Sequence, residues 1–440
     1  MKKVVPLFLL VSLAHFFTQT GAANTNRFPK PENRDTVQVF KAIKWQFQTK
    51  GKIFSTPIIA NGVVYIGSED SCLYAIDQNS GKLKWKFNTK GKVNSSATVF
   101  NNMVFFGSYD GYQYALNAKS GREIWKFKTG GEKHIGAKGL WTMKPDSLYM
   151  DDPFDFFLSS PVIDSANGNV CFGSSDGNVY ALNLKKGTVA WKLATSGPIH
   201  AAPLLYKGVL YIGSWDFNLY AINAKDGAIK WTFKTGEQPV YHVLEGIQAA
   251  PVAADGMIYF GTRDAFFYAL NANTGAMEWK FDAESSWIMA AANLKDNAIF
   301  FSTSDSYSFI AVNRQTGKEL FRFKSSGYIY NTAAIVNNTA YFGDFTGQLF
   351  ALDIRTGKPV SVFAFEGRKN NAMKVLKDNT LDFDVAAAGK DRAFYQTTID
   401  AMNNLYSLGS IVSSPVVANN TLYVGSADGN LYAVELAEIE

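Results

Sequence analysis

An all-β propeller of eight four-stranded antiparallel blades is the fold this sequence predicts, and three observations predict it. A Gly-x-x-Asp turn recurs at Gly67–Asp70, Gly107–Asp110, Gly173–Asp176, Gly213–Asp216, Gly261–Asp264 and Gly425–Asp428, with degenerate copies at Ser302–Asp305 and Gly343–Thr346. An aromatic motif answers it, as Trp85-Lys86-Phe87, Trp125-Lys126-Phe127, Trp191-Lys192-Leu193, Trp231-Thr232-Phe233 and Trp279-Lys280-Phe281, fading to Phe321-Arg322-Phe323 and the region around Phe363. Trp45, Trp85 and Trp125 stand 40 residues apart, and short apolar runs bounded by Gly, Asp, Asn and Ser divide each unit into strands. One such unit cannot bury its faces alone; a ring of them can.

Residues 1–23 have the layout of a secretory signal peptide. Lys2 and Lys3 make a basic start, Val4–Phe17 is mostly apolar, and Thr20-Gly21-Ala22-Ala23 offers small residues for cleavage. The apolar run is short for a membrane span, so the mature chain is expected to carry no integral span. No cysteine lies near the cleavage site, so no lipoprotein anchor is expected. Residues 24–40 are polar, hold Pro29 and Pro31, and read as an extended leader before a propeller over 41–440. Without the two signal lysines the net charge falls from +5 to +3, with no basic run, so nucleic acid is not an expected partner.

Within a blade the order is inner strand, second strand, Gly-x-x-Asp turn, third strand, Thr/Ser-Gly turn, outer Trp strand. Ser55-Thr56-Pro57-Ile58-Ile59, Ser159–Ile163 and Ser413–Val417 read as inner strands, with small residues suited to the crowded inner wall. Trp45-Gln46-Phe47 precedes any inner strand, and the last unit, Ser413–Glu435, stops after its third strand. The first motif is therefore expected to complete the last blade, which removes open sheet edges. Cys72 and Cys171 fall in non-adjacent blades, so two buried thiols are expected rather than a disulfide.

The blade spacing breaks in three places. Trp125 to Trp191 is 66 residues, Trp231 to Trp279 is 48, and Gly343 to Gly425 is 82. The extra residues are 131–157, 237–245 and 367–409, each between an outer strand and the next inner strand. In a meander that position shares a face with the Gly-x-x-Asp turns. The insertions therefore crown one face of the ring, and elaborated loops are where function usually sits. Trp141, Trp215 and Trp287 are the tryptophans outside the outer-strand position, and all three fall on the crowned face. The candidate binding residues are these three, Tyr109 and Arg263 in Gly-x-x-Asp turns, and Glu245 and His200 leading into inner strands. Phe394, Ile399, Met402, Leu405 and Leu408 form an amphipathic stripe in the last insertion, read as a helix docked across the ring. His134 and the acidic residues Asp146, Asp151, Asp152 and Asp155 of the first insertion lack EF-hand spacing. The acids are read as turn and cap residues, and no metal site is assigned.

The repeat Ala-Leu-Asn-x-x-x-Gly-x-x-x-Trp, at Ala115–Trp125 and Ala269–Trp279, resembles that of pyrroloquinoline-quinone (PQQ) type propellers and covers nearly all of 41–440. The resemblance implies one of two kinds of protein: a quinoprotein dehydrogenase, or a non-catalytic periplasmic scaffold of the BamB-like type. Family dehydrogenases hold a flat anionic quinone with aromatic stacking, a cation, Ca²⁺ and a carboxylate base, often under a lid of adjacent cysteines. Lys52, Lys92, Asp155, His200, Glu245, Trp287 and Tyr328 are expected near the channel mouth. Adjacent cysteines are missing, as are a Gly-x-Ser-x-Gly elbow, a His-Glu-x-x-His helix and a Cys-x-x-Cys pair. The expectation is a secreted, periplasmic, monomeric propeller that binds a protein partner, with no catalytic residue and no cofactor assigned. The alternatives are a PQQ- and Ca²⁺-dependent alcohol or sugar dehydrogenase, and a carbohydrate or small-ligand binder using Trp141, Trp215 and Trp287.

Overall fold

The computed structural model describes residues 37–236 and 246–439. The signal-peptide reading of 1–23, the leader up to residue 36 and the insertion 237–245, with Glu245, lie outside the described residues. Within them are eight four-stranded antiparallel sheets, seven built from consecutive strands. The first runs Ile58–Ala60, Val63–Ser68, Cys72–Asp77, Leu83–Asn88, from axis to rim.

The inner strands are shorter than the sequence suggests. They span Ile58–Ala60, Val162–Asp164 and Val416–Ala418, and the Ser-x-Pro segments before them are not in the ladder. Serine hydroxyls do the pairing there instead. Ser159 Oγ accepts the Gly173 amide at 2.9 Å and donates to the Ala201 carbonyl of the next blade at 2.8 Å. Ser413 Oγ does the same with the Gly425 amide at 3.2 Å and the Ser55 carbonyl at 2.8 Å. The second and third strands are buried except at some of their ends, and Val63–Ser68 is buried along its whole length, because each blade packs on a neighbour on both faces. Outer strands alternate: Lys84 and Lys86 are exposed, Trp85 and Phe87 half-buried. Lysines on these rim strands oppose edge-to-edge pairing with another molecule.

The strand Val37–Gln48 completes the eighth sheet by pairing antiparallel with Asn430–Ile439, Trp45 opposite Ala433 and Phe47 opposite Leu431. It begins inside the stretch read as leader. The ten-residue strand Asn430–Ile439 extends its ladder to Val37, and backbone groups there require a partner. Both cysteines are free and buried.

Two repeated contacts lock blade to blade. The Trp45 indole donates to the Gln78 carbonyl at 3.1 Å, and its ring lies so close to Gly81 that a Cβ there would sit 2.7 Å away. Gly81 also has φ +68°, so conformation and space both demand glycine. The arrangement recurs from Trp85 to Ala118 and Gly121, and from Trp279 to Arg314 and Gly317. The second contact explains the turn aspartate. In all six regular copies it accepts a hydrogen bond from the tyrosine four residues on, at 2.6–2.8 Å. It also takes an amide from the end of the preceding outer strand, as Asp70 does from Lys50 and Asp110 from Lys90, each at 2.9 Å. In the degenerate copy at Asp305 the tyrosine is replaced by Phe309, so that carboxylate lacks this partner.

Candidate functional site

The two described insertions meet on the face of the Gly-x-x-Asp turns. In 131–157 the strands Gly136–Lys138 and Tyr149–Asp151 pair. The last insertion holds the helix Tyr395–Tyr406. The Lys144 amide donates to the Ala393 carbonyl at 2.6 Å, and the Tyr395 hydroxyl to the Asp151 carbonyl at 2.8 Å, so the insertions form one crown. The helix buries Thr397, Ala401, Met402 and Leu405, and Leu408 is buried beyond it. Phe394 departs from the expected stripe. It precedes the helix in extended conformation and is 50% exposed, so it does not follow the helical period.

Beneath the crown a single apolar cluster draws Phe54, Tyr330, Phe345 and Ala427 from blades around the ring onto Phe154 and Phe156 of the first insertion. Leu405 and Leu408 of the last insertion join the same cluster. Side chains thus fill the channel mouth on this face. The rest of the channel is a cavity of about 300 Å³, lined mainly by small residues beside the inner strands, such as Ser96, Ser160, Ala250 and Ser414.

A buried polar network lies beside this plug. Arg263 is fully buried, with its guanidinium 4.7 Å from the Trp215 ring centroid and 4.4 Å from that of Trp287. Its Nη1 donates to Asp152 Oδ2 at 2.5 Å and its Nη2 to Gln248 Oε1 at 2.9 Å. Gln248 Nε2 donates to Asp155 Oδ1 at 3.2 Å, and Asp155 faces His200 Nδ1 at 2.8 Å and His134 Nδ1 at 3.4 Å. Tyr109 stacks on His134 with centroids 4.4 Å apart. The structure therefore gathers Tyr109, His200, Arg263, Trp215 and Trp287 into one contact network, and Trp141 adjoins it, 6.1 Å from Trp287. Trp215, His200 and Arg263 are buried; Trp141, Trp287 and Tyr109 keep partial exposure. Among the described residues no group of three or more His, Cys, Asp or Glu could hold a metal ion.

Ser175 Oγ lies 2.8 Å from His200 Nε2, so Ser175, His200 and Asp155 have the connectivity of nucleophile, base and orienting acid. That connectivity alone does not make a hydrolase. All three residues are at most 3% exposed, and Ser175 Oγ donates to the Lys133 carbonyl at 3.1 Å. The charge state points the same way. Burial works to lower His200, but Asp155 and then Glu132 outweigh it and hold the imidazole above its usual value. Burial works to raise Asp155, but His200 and His134 outweigh it and hold the carboxyl well below the carboxylate range. A protonated histidine is a donor on both nitrogens and cannot take the serine proton.

The pair makes stability depend on pH in a fixed direction. The His200 contribution is complete below about pH 6.5 and is lost as pH rises through its raised value. The Asp155 contribution is present above about pH 4 and is lost as pH falls through its lowered value. The melting-temperature gap between wild type and His200→Gln is therefore expected to be larger at pH 6 than at pH 8.5. A gap that stays constant over that range means His200 is neutral in the fold.

Sequence reading missed Asp152, Phe154 and Phe156 as the plug and its anchor. Asp152-Pro153-Phe154-Asp155-Phe156 lies outside the repeat and forms a turn closed by the Asp155 amide on the Asp152 carbonyl at 3.0 Å, so no periodic pattern marks these side chains.

Comparisons with known proteins agree with this architecture. The family described as outer membrane protein assembly factor BamB matches at residues 36–137, 135–250 and 242–439. Among solved structures, BamB from Moraxella catarrhalis superposes with TM-score 0.66 at 16% identity, covering 90% of this chain and 100% of that one. A europium-containing methanol dehydrogenase superposes with TM-score 0.62 at 14% identity, covering 89% and 93%. At these identities the likeness is one of fold. A curated relative, the beta-alanine-activating enzyme of Danio rerio, is 35% identical over 65 residues, which is 15% of this chain and only 6% of that protein. With the repeat, the closed eight-blade ring and a family match along the whole described propeller, this chain belongs to the outer membrane protein assembly factor BamB family of PQQ-repeat propellers.

Proposed function

We propose that the protein is a non-catalytic scaffold of the bacterial envelope that binds a protein partner through its crowned face. The observation that carries this reading is the distribution of exposed large apolar side chains. Ile43, Leu83, Ile124, Val189, Ile229, Met277, Leu320 and Val362 fall one to each outer strand and belong to the repeat. Among the described residues the remaining four, Leu148, Tyr149, Met373 and Phe394, all lie in the two described insertions, and Met373 is 94% exposed. Apolar side chains that break the repeat and cluster on one surface are the mark of an interaction site. The signal-peptide layout of residues 1–23 supports export, and among the described residues no helix is long and apolar enough to cross a membrane.

Charge speaks against the dehydrogenase reading. The open volume beside Phe154, Tyr328 and Tyr330 is lined by the acidic Glu284 and Asp305, which would repel a flat anionic quinone. The nearby cation, Arg263, is already held by Asp152 and Gln248. These residues do not fit the cofactor.

Affinity capture from an envelope extract tests the proposal. Tyr149→Ala with Phe394→Ala is expected to reduce partner capture at least tenfold, while Ser80→Lys with Ser120→Lys on the opposite face leaves it unchanged. Loss only in the serine variant would place the site on the other face. A quinone absorbance band retained after adding PQQ and Ca²⁺ would favour the dehydrogenase reading instead.

A further inference from the structure

We propose that the cavity beside Trp141 and Trp287 binds a cationic group, an alkylammonium or a guanidinium, through its aromatic walls and the carboxylate of Asp305. The proposal rests on the reading above for the choice of working face and names what one part of that face recognises.

The cavity measures about 440 Å³, and five of its lining residues are the aromatic Trp141, Phe154, Trp287, Tyr328 and Tyr330. The rings meet at varied angles: Trp141 to Trp287 at 6.1 Å and 38°, Phe154 to Tyr328 at 5.7 Å and 71°, Tyr328 to Tyr330 stacked at 5.6 Å. Walls of this kind present ring faces and edges toward a single volume. Ring faces carry negative quadrupole potential and attract cations.

Charge points the same way. The charged residues lining the cavity are Glu284 and Asp305, both acidic. Glu284 is paired with Arg322 at 3.0 Å. Asp305 has no ion-pair partner among the described residues; its Oδ2 accepts the Ser304 hydroxyl at 2.6 Å. In the six regular blades the equivalent aspartate is tied up by a tyrosine four residues on, and here Phe309 stands in that place. Asp305 is exposed and lines the cavity, so its carboxylate is open to a ligand. A bound cation would meet an opposite charge there, whereas an anion would be repelled by both the carboxylates and the rings. Arg263 is not among the lining residues, and its charge is met by Asp152.

The rim is held in place before any ligand arrives. The Trp287 amide donates to Ser304 Oγ at 2.8 Å and the Ser306 amide to Ser286 Oγ at 2.9 Å. Two rim segments hold consecutive non-glycine residues in the left-handed region: Trp141 and Thr142 at φ 50° and 65°, Glu284 and Ser285 at φ 56° and 63°. Such conformations cost energy and persist where surrounding structure enforces them, often at binding sites.

The cation has two possible sources, a free quaternary ammonium compound or a Lys or Arg side chain of a protein partner. Calorimetric titration of the full chain separates them. The probes are choline, Nα-acetyl-lysine amide, Nα-acetyl-arginine amide, and 3,3-dimethyl-1-butanol, which copies the shape of choline without its charge. At least one cation is expected to bind with a Kd of about 1 mM or tighter, and the neutral alcohol at least about tenfold more weakly. Preference for choline identifies a free cation; binding of the amino-acid amides alone identifies a partner side chain. Asp305→Asn and Trp141→Ala are each expected to weaken the bound cation about tenfold, with the Asp305→Asn melting temperature held near wild type as the folding control. No cation binding, equal binding of the alcohol, or full binding by a folded Asp305→Asn variant overturns the proposal. Partner capture is read with Tyr149 and Phe394, outside this cavity. Failed cation binding with intact capture would therefore overturn this inference alone.

Discussion

Deletion of residues 24–50 is expected to lower the unfolding midpoint by on the order of 10 °C or to prevent soluble folding altogether. The deletion removes the strand that completes the eighth sheet, and that strand touches three blades. Phe40 packs on Tyr341 and Phe363 of the seventh blade, with centroids at 5.7 and 6.1 Å. Trp45 lies 5.7 Å from Tyr423 of its own blade, and Phe47 lies 5.4 Å from Tyr74 of the first. Truncating a buried aromatic costs roughly 3–5 kcal/mol. These rings are half-buried, so three of them together amount to more than about 5 kcal/mol before the ladder is counted. The strand Asn430–Ile439 would also be left with an unpaired edge, an invitation to aggregate. Circular dichroism melts and size-exclusion profiles of the two proteins check the result. An unchanged midpoint would mean the ring is closed by something other than this strand.

Arg263→Ala is expected to destabilise the fold by about 3–5 kcal/mol, because it leaves a buried carboxylate without its counter-charge. The loss has three parts. Asp152, 3% exposed, loses its ion pair; burial already pushes its carboxyl upward against the pull of Arg263. Gln248 loses two donors. Trp215 and Trp287 lose the planar cation between them, and the Trp215 indole nitrogen has no hydrogen-bond partner among the described residues. Arg263→Met with Asp152→Asn should recover much of the stability, since it removes both charges and keeps a long apolar side chain in the gap. Chemical denaturation of the single and double variants measures both. If Arg263→Ala kept wild-type stability and lost only partner binding, Arg263 would be a contact residue and not a structural one.

The amino-acid sequence alone determined the ring. Eight copies of a turn, an aromatic motif at fixed spacing and two unmatched ends specify blades, order and closure, because each is a local or nearest-neighbour relation. Gly81 against Trp45 and Asp70 against Tyr74 are legible for the same reason: the repeat prints them many times. The helix of the last insertion was legible from its stripe, except at Phe394, where period alone does not show that the helix has not yet begun. Only tertiary structure decided how the crown is built. Asp152 meets Arg263 across 111 residues and Asp155 meets His200 across 45. These pairs are made once and have no repeat to announce them. In sequence, Arg263, His200 and Trp215 look like exposed residues on a functional face. The folded chain buries them: the first insertion supplies Asp152 to Arg263 and Asp155 to His200, and Arg263 in turn covers the Trp215 ring. The cavity is decided in the same way. Asp305 is a weakened repeat in the sequence, and it becomes a carboxylate beside five rings only when blades and insertions bring Trp141, Trp287 and Tyr328 to it.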